Sequence, residues 1–245
     1  MTSLGPIPDF AAPESVTKSV TAASQKMAIK GYVINLRRRE DRWKEIQERF
    51  RLVKSIQLER FEALEGKPGW VYCGMSHKAL VAAAKARGDP YVLVLEDDAT
   101  AEDAAGFDLR FTRILRWLEK NPEKWDVFSG GQNLPSDRPS FHPRAVIDKR
   151  LRILELADSW CAHFVIYSSR AYDKMLEWDS KAPAEIQERD AIDVYIMRNL
   201  RQITTVPYLS LQAPGSSDLM GSQWDYTTLM RKSESRAINF LKDRL

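Results

Sequence analysis

The chain has 245 residues, 44% hydrophobic and 29% charged, the balance of a globular protein with a sizeable core. With 37 basic against 34 acidic residues the net charge is +3, which gives no basis for general nucleic-acid binding. Two cysteines, Cys73 and Cys161, exclude a disulfide framework and suit a reducing, cytoplasmic compartment. No apolar stretch approaches the ~20 residues of a membrane span, so the sequence allows peripheral membrane contact at most, and the N-terminus has no charged-then-apolar signal pattern.

Residues 1–28 are rich in Pro, Ala, Ser and Thr without sustained periodicity and read as a disordered arm. No linker interrupts 29–245, which reads as one domain in two halves, about 29–130 and 131–245. Residues 31–36 (Gly-Tyr-Val-Ile-Asn-Leu) form the first expected strand. A helix should start near Arg39 with Trp43, Ile46, Phe50 and Val53 on one face. A strand at 56–62 and a Gly/Pro/Trp-containing loop at 65–74 follow, and Ser76 can cap a helix running to about Arg87. Residues 91–98 (Tyr-Val-Leu-Val-Leu-Glu-Asp-Asp) then read as a central strand buried on both faces of a parallel sheet.

Phe107, Phe111, Ile114, Leu115 and Leu118 mark an amphipathic helix, and 125–129 a short strand ending in Gly130-Gly131. Residues 132–149 read as a long Pro-rich loop. Strands are expected at 151–156 and 161–167, paired antiparallel, helices at 169–178 and 186–200, and a last strand at 203–206. A loop at 207–223 leads to a basic helix at 226–245. Strand–helix alternation in the first half implies an α/β fold with a parallel sheet, more mixed in the second half.

Four constellations could carry chemistry. Glu96, Asp97 and Asp98 leave the central strand at its carboxyl end, where ligands of open α/β sheets sit. Their mutual repulsion calls for a counter-charge, which a hard divalent cation can supply; a solvated acidic turn is the plain alternative. Asn35, Leu36, Arg37, Arg38, Arg39 and Arg42 span a strand–turn–helix whose helix N-terminus and guanidinium groups suit phosphate. There is no glycine-rich dinucleotide loop. Cys73-Gly74-Met75-Ser76-His77 opens a helix without the flanking glycines of a hydrolase elbow. Asp190 and Asp193, three apart in an expected helix, could present a general base or be an exposed acidic face.

In this order, the segments 33–42, 73–77, 94–98, Asp193 and 207–218 resemble glycosyltransferase family 25, the lipopolysaccharide and collagen galactosyltransferase-like family. The resemblance covers about 31–218, with the Gly-Cys order of the family appearing here as Cys73-Gly74. It implies a GT-A fold with a single mixed, mostly parallel sheet and transfer from a UDP-sugar to a glycan or glycoconjugate hydroxyl, with inversion. Glu96 and Asp98 would hold Mn²⁺ or Mg²⁺. Asn35, Leu36, Arg37, Arg42, Ser76, His77, Glu96 and Asp97 would lie on the donor side, and Asp193 would be the base. The histidines, His77, His142 and His163, all precede the last strand, so Gln212, Ser217 or Asp218, or water and the diphosphate, would complete the metal shell. Two rival readings are a haloacid-dehalogenase-like phosphatase, suggested by Glu96-Asp97-Asp98-Ala99-Thr100, and a non-catalytic glycan-binding module.

Overall fold

The apolar run 92–95 has no polar side chain to offer to solvent and is best satisfied between two helical layers. The structure, a computed structural model, puts it there, inside the strand Tyr91–Glu96. It describes residues 28–101, 103–134, 141–149, 151–157, 159–179, 190–216 and 223–242; the expected arm at 1–28 lies outside these but for its last residue. In chain order the elements are β1 (Ile29–Asn35), α1 (Glu40–Arg49), β2 (Ile56–Glu62), α2 (Gly69–Arg87), β3 (Tyr91–Glu96) and α3 (Ala104–Lys120). There follow β4 (Val127–Ser129), β5 (Phe141–Asp148), β6 (Leu151–Leu156), β7 (Phe164–Ser168), α4 (Tyr172–Glu177) and α5 (Ile192–Asn199). The last are β8 (Gln202–Val206), the two-residue antiparallel strands β9 (Gly215–Ser216) and β10 (Gln223–Trp224), and α6 (Tyr226–Lys242).

The fold is α/β: one eight-stranded mixed sheet in the order β2-β1-β3-β7-β4-β8-β6-β5. The pairings leave β2, β1, β3, β4, β8 and β5 running one way and only β7 and β6 the other. Alternation along β3 sends Leu93 and Leu95 to one core, with Ile46 of α1 and Phe107, Phe111 and Ile114 of α3. Val92 and Val94 go to the other, with Leu80 and Val81 of α2, Met175 of α4 and Ile196 of α5. Helix α6 packs Met230, Ala237 and Leu241 on Leu154, Leu156 and Val206.

Several expectations are corrected. Of the two neighbours of the central strand, only β1 pairs parallel; the other, β7, is antiparallel. β6 and β7 do not pair with each other: β6 lies between β5 and β8, β7 between β3 and β4. Part of the expected loop at 132–149 is the edge strand β5, where Pro143 is tolerated because β6 is its one neighbour. Helix α2 begins at Gly69, so most of the expected loop at 65–74 is helical and Ser76 is an interior residue, not a cap. Gly74 is there for closeness: a Cβ would stand 2.4 Å from the Trp178 ring. Helix α5 starts only at Ile192, after an extended Ala191 (ψ 151°), so Asp190 and Asp193 do not share a helical face.

Gly131 holds the turn after β4 against the segment that follows β8. Leu209 and Ser210 both donate backbone N–H to Gly130 O (2.7 and 3.1 Å), and a Cβ on Gly131 would lie 2.2 Å from Ser210 O. The obstacle is main chain, which cannot rotate away. Gly131→Ala should therefore lower stability by about 1–3 kcal/mol, read from the denaturant midpoint; an unchanged midpoint would mean that the 209–213 segment is free to shift.

Candidate active site

β1 and β3 are parallel neighbours, so Asn35 and Glu96 leave the sheet on the same side. Asn35 is buried, and its Nδ2 donates to Asp97 Oδ2 (2.6 Å) and to Arg39 O (3.1 Å). Arg42, on the first turn of α1, reaches back with Nη2 to Asp97 Oδ1 (2.9 Å) and Asp98 Oδ2 (3.0 Å). Arg49 Nη1 donates to Asp97 O at 3.0 Å. From the other side, the chain after β8 runs along residues 98–100: Ala213 N donates to Asp98 O (2.7 Å) and Thr100 N to Leu211 O (2.9 Å). That register delivers Gln212, whose Nε2 donates to Asp98 Oδ2 at 2.9 Å. Thus Asp97 is tied down by Asn35 and Arg42, while Asp98 keeps Oδ1 buried with no hydrogen-bond partner among the described residues.

Glu96 faces a different set. Its Oε1 is 3.8 Å from Cys73 Sγ and 3.6 Å from His77 Nε2, both on α2. These three side chains form a cluster of potential metal-ligating atoms, all within 4.8 Å of one another. His77 is fully buried and its Nδ1 lies 3.0 Å from Tyr167 Oη.

Asp193 opens α5. Its Oδ2 accepts from Cys161 N (3.1 Å) and its Oδ1 from Val194 N (2.9 Å), as an acidic residue at a helix start should. Cys161 has φ 95°, a left-handed backbone that a non-glycine residue adopts only under constraint, and the strain aims its N–H at Asp193.

The electrostatics are unbalanced. Glu96, Asp97 and Asp98 follow one another, and one guanidinium serves two of them. Burial, and then the Glu96 charge, push the Asp98 carboxyl up to about 7 in spite of Arg42. Burial likewise raises Asp97 and Asp193. Burial acts to raise Glu96 too, but the His77 contact outweighs it and Glu96 is held below the usual range. Burial also pushes the Cys73 thiol well up and His163 down to about 4.

A cavity of about 340 Å³ opens onto this group, with Leu36, Arg42, Cys73, Glu96, Asp98 and Gln212 among its walls. Of the residues expected on the donor side, Leu36, Arg42, Glu96 and Asp97 line it. Asn35 stands behind, orienting Asp97. Arg37 is turned outward, its side chain 82% exposed and near Glu62, and Arg38 takes the wall position, ion-paired with Glu65. Ser76 is consumed inside the fold, accepting from Leu64 N (2.9 Å) and donating to Tyr72 O (2.8 Å). His77 is behind the wall, against Glu96. Arg42 was expected beside the nucleotide; its guanidinium is paired with Asp97 and Asp98, the counter-charge that the sequence reading assigned to a cation alone. Ser217 and Asp218 lie outside the described residues. Tyr72 and Lys67 on the walls were missed, because 65–74 was read as a connecting loop; Cys73 was singled out only within the segment 73–77, with no place on the cavity wall.

The acidic group fits a divalent ion on one observation: Asp98 Oδ1 is a buried carboxylate oxygen with no hydrogen-bond partner among the described residues, beside a second carboxylate, Glu96. No protein-family model matches the chain, and no curated protein does. Solved structures with some likeness include mannose-1-phosphate geranyltransferase from Thermus thermophilus, 13% identical over 74% of this chain and 73% of that one, with a TM-score of 0.40. Another is apo UDP-glucose pyrophosphorylase, 13% identical over 89% of this chain and 82% of that one, TM-score 0.37. At these values neither bears on what this chain does. Among the described residues no helix is long and apolar enough to cross a membrane.

Two outcomes test the electrostatics. The folded Asp98 carboxyl binds its proton more tightly than the unfolded one, so its contribution to stability is present at low pH and is lost as pH rises through about 7. In chelator, Asp98→Asn should therefore be more stable than the parent at pH 8, with the difference shrinking by pH 5; a pH-independent difference would contradict this. Arg42→Met leaves two carboxylates without their cation and should destabilise the metal-free protein by roughly 3 kcal/mol in urea unfolding, the low end for a buried pair because the side chain is 16% exposed.

Proposed function

We propose that the chain is a metal-dependent glycosyltransferase, similar to family 25, that moves a sugar from a UDP-sugar to a hydroxyl of a glycan or glycoconjugate, with inversion. The observation that carries the reading is the group of three successive carboxylates with one guanidinium between two of them, facing a cavity at the carboxyl ends of β1 and β3. The order of motifs along the sequence supports it. In this reading residues 29–130 form the nucleotide half and 131–245 the acceptor half.

Glu96 and Asp98 would hold a Mn²⁺ or Mg²⁺ ion, which supplies charge neutralisation for a diphosphate leaving group. Gln212 fixes the Asp98 carboxylate through Oδ2 and leaves Oδ1 free for that purpose. Asn35 and Arg42 hold Asp97 still, so that the strand end keeps its shape when charge arrives. Leu36 and Arg38 form the wall on which the nucleotide would rest. Asp193 would take the proton of the attacking hydroxyl. Its carboxyl is raised by burial, which makes it the stronger base, and its two backbone donors orient it.

Turnover of a panel of UDP-sugars with Mn²⁺ tests the reading: release of UDP is expected, and it should vanish in Asp98→Ala and in chelator. Hydrolysis of simple phosphate esters instead would favour a phosphatase, and binding of glycans without any UDP release a non-catalytic module. Asp193→Asn should lower kcat by roughly 10²–10⁴ with donor affinity nearly unchanged; a near-normal kcat would remove Asp193 from the chemistry.

A further inference from the structure

The Cys73–His77–Glu96 cluster has no role in the mechanism just given, apart from the oxygen that Glu96 lends to the acidic side. Cys73 and His77 are four apart on α2 and so project from the same face of the helix. Glu96 meets them from the end of β3. Cys73 Sγ and His77 Nε2 stand 3.8 and 3.6 Å from the same oxygen, Glu96 Oε1. The first is a weak thiol contact and the second is beyond hydrogen-bond reach. Both match what a shared ion imposes. Tetrahedral bonds of about 2.0–2.3 Å to N, O and S set neighbouring ligand atoms roughly 3.3–3.8 Å apart.

A second, independent observation points the same way. His77 is fully buried, yet among the described residues its Nε2 has no hydrogen-bond partner, and it faces Glu96. The other ring nitrogen, Nδ1, lies 3.0 Å from Tyr167 Oη; in the tautomer that keeps the proton on Nδ1, that hydrogen bond leaves the Nε2 lone pair to an ion held among the three side chains. Tyr167 is itself fully buried in the sheet and cannot easily move away. Cys73 and Glu96 line the cavity, so a fourth position would be open to water or a ligand.

We infer that Cys73, His77 and Glu96 form a binding site for a borderline divalent transition ion of the Zn²⁺ type, with one sulfur, one nitrogen and one oxygen ligand. A thiolate and an imidazole select such an ion over Mg²⁺ or Mn²⁺, which prefer oxygen. Binding releases the thiol proton to solvent as the metal–sulfur bond forms. The site shares only Glu96 with the acidic group: Asp98 Oδ2 is turned to Arg42 and Gln212. The inference does not rest on the transferase reading, since metal occupancy can be measured whether or not a sugar is transferred.

The test is titration of the reduced full chain with Co²⁺, a spectroscopically visible stand-in for Zn²⁺. One equivalent should produce a near-ultraviolet thiolate-to-metal charge-transfer band together with visible bands of tetrahedral intensity, and Zn²⁺ should displace both. Cys73→Ser should abolish the charge-transfer band, Cys161→Ser should keep it, and His77→Gln should weaken binding at least tenfold. No band, or a band that survives Cys73→Ser and is lost in Cys161→Ser, overturns the assignment. Because a buried variant can fail to fold, the parent protein supplies a second readout: Zn²⁺ should slow alkylation of Cys73, followed by peptide mass, and an unchanged rate overturns the inference as well. Loss of Mn²⁺-dependent UDP release, by contrast, would leave this site standing and remove only the transferase reading.

Discussion

Three carboxylates in succession at the mouth of a buried strand impose the constraint around which this molecule is arranged. Each would cost several kcal/mol to bury uncompensated, and the structure compensates unevenly. Arg42 bridges Asp97 and Asp98, Asn35 secures Asp97, and Gln212 caps one oxygen of Asp98. That requirement places α1 with its first turn over the strand end and draws the segment after β8 into pairing with residues 98–100. What is left over is one Asp98 oxygen with no hydrogen-bond partner among the described residues, and a Glu96 that faces a thiol and an imidazole.

The antiparallel strand β7 is the second determinant. Because it runs against β3, its start lies where β3 ends, and Glu96 N donates to His163 O at 2.8 Å. The chain entering β7 therefore crosses the mouth of the site. It brings Cys161 in a strained conformation and, through the Cys161 N–H, fixes Asp193 at the start of α5. A purely parallel sheet would have kept this segment at the opposite end. The reversal is what brings Asp193, from the second half of the chain, within electrostatic reach of Glu96, from the first.

The sequence was legible where local chemistry decides and opaque where partners are distant. The run 92–95 has no polar residue, so a strand covered on both faces was the outcome most consistent with burial, and the carboxylates after it were bound to face a cleft. The apolar stripe along 107–118 announced α3 by its spacing. The region 65–74 misled because Gly, Pro and Trp are turn residues by composition; here Pro68 precedes the helix and Gly74 admits Trp178, a contact 104 residues away that no local pattern reveals. Once that stretch is a helix, Cys73 and His77 fall on one face, a juxtaposition invisible while the stretch was read as loop. Arg42 was recognised as a site residue, but its bond to Asp97 and Asp98 depends on the β1–β3 pairing and on the register of α1. Asp190 was paired with Asp193 on spacing alone, and one extended residue, Ala191, separates them.

The proposed function requires uptake of a divalent cation, together with a nucleotide diphosphate, by the acidic group at the end of β3. Its most direct measurement is equilibrium binding of Mn²⁺ by electron paramagnetic resonance, in which the free aqueous ion gives the signal and the bound ion does not. On this account one Mn²⁺ per chain is taken up, its affinity rises when UDP is added, and Asp98→Asn abolishes the uptake. A free-ion signal that is unchanged by the protein, with UDP present or absent, would contradict it.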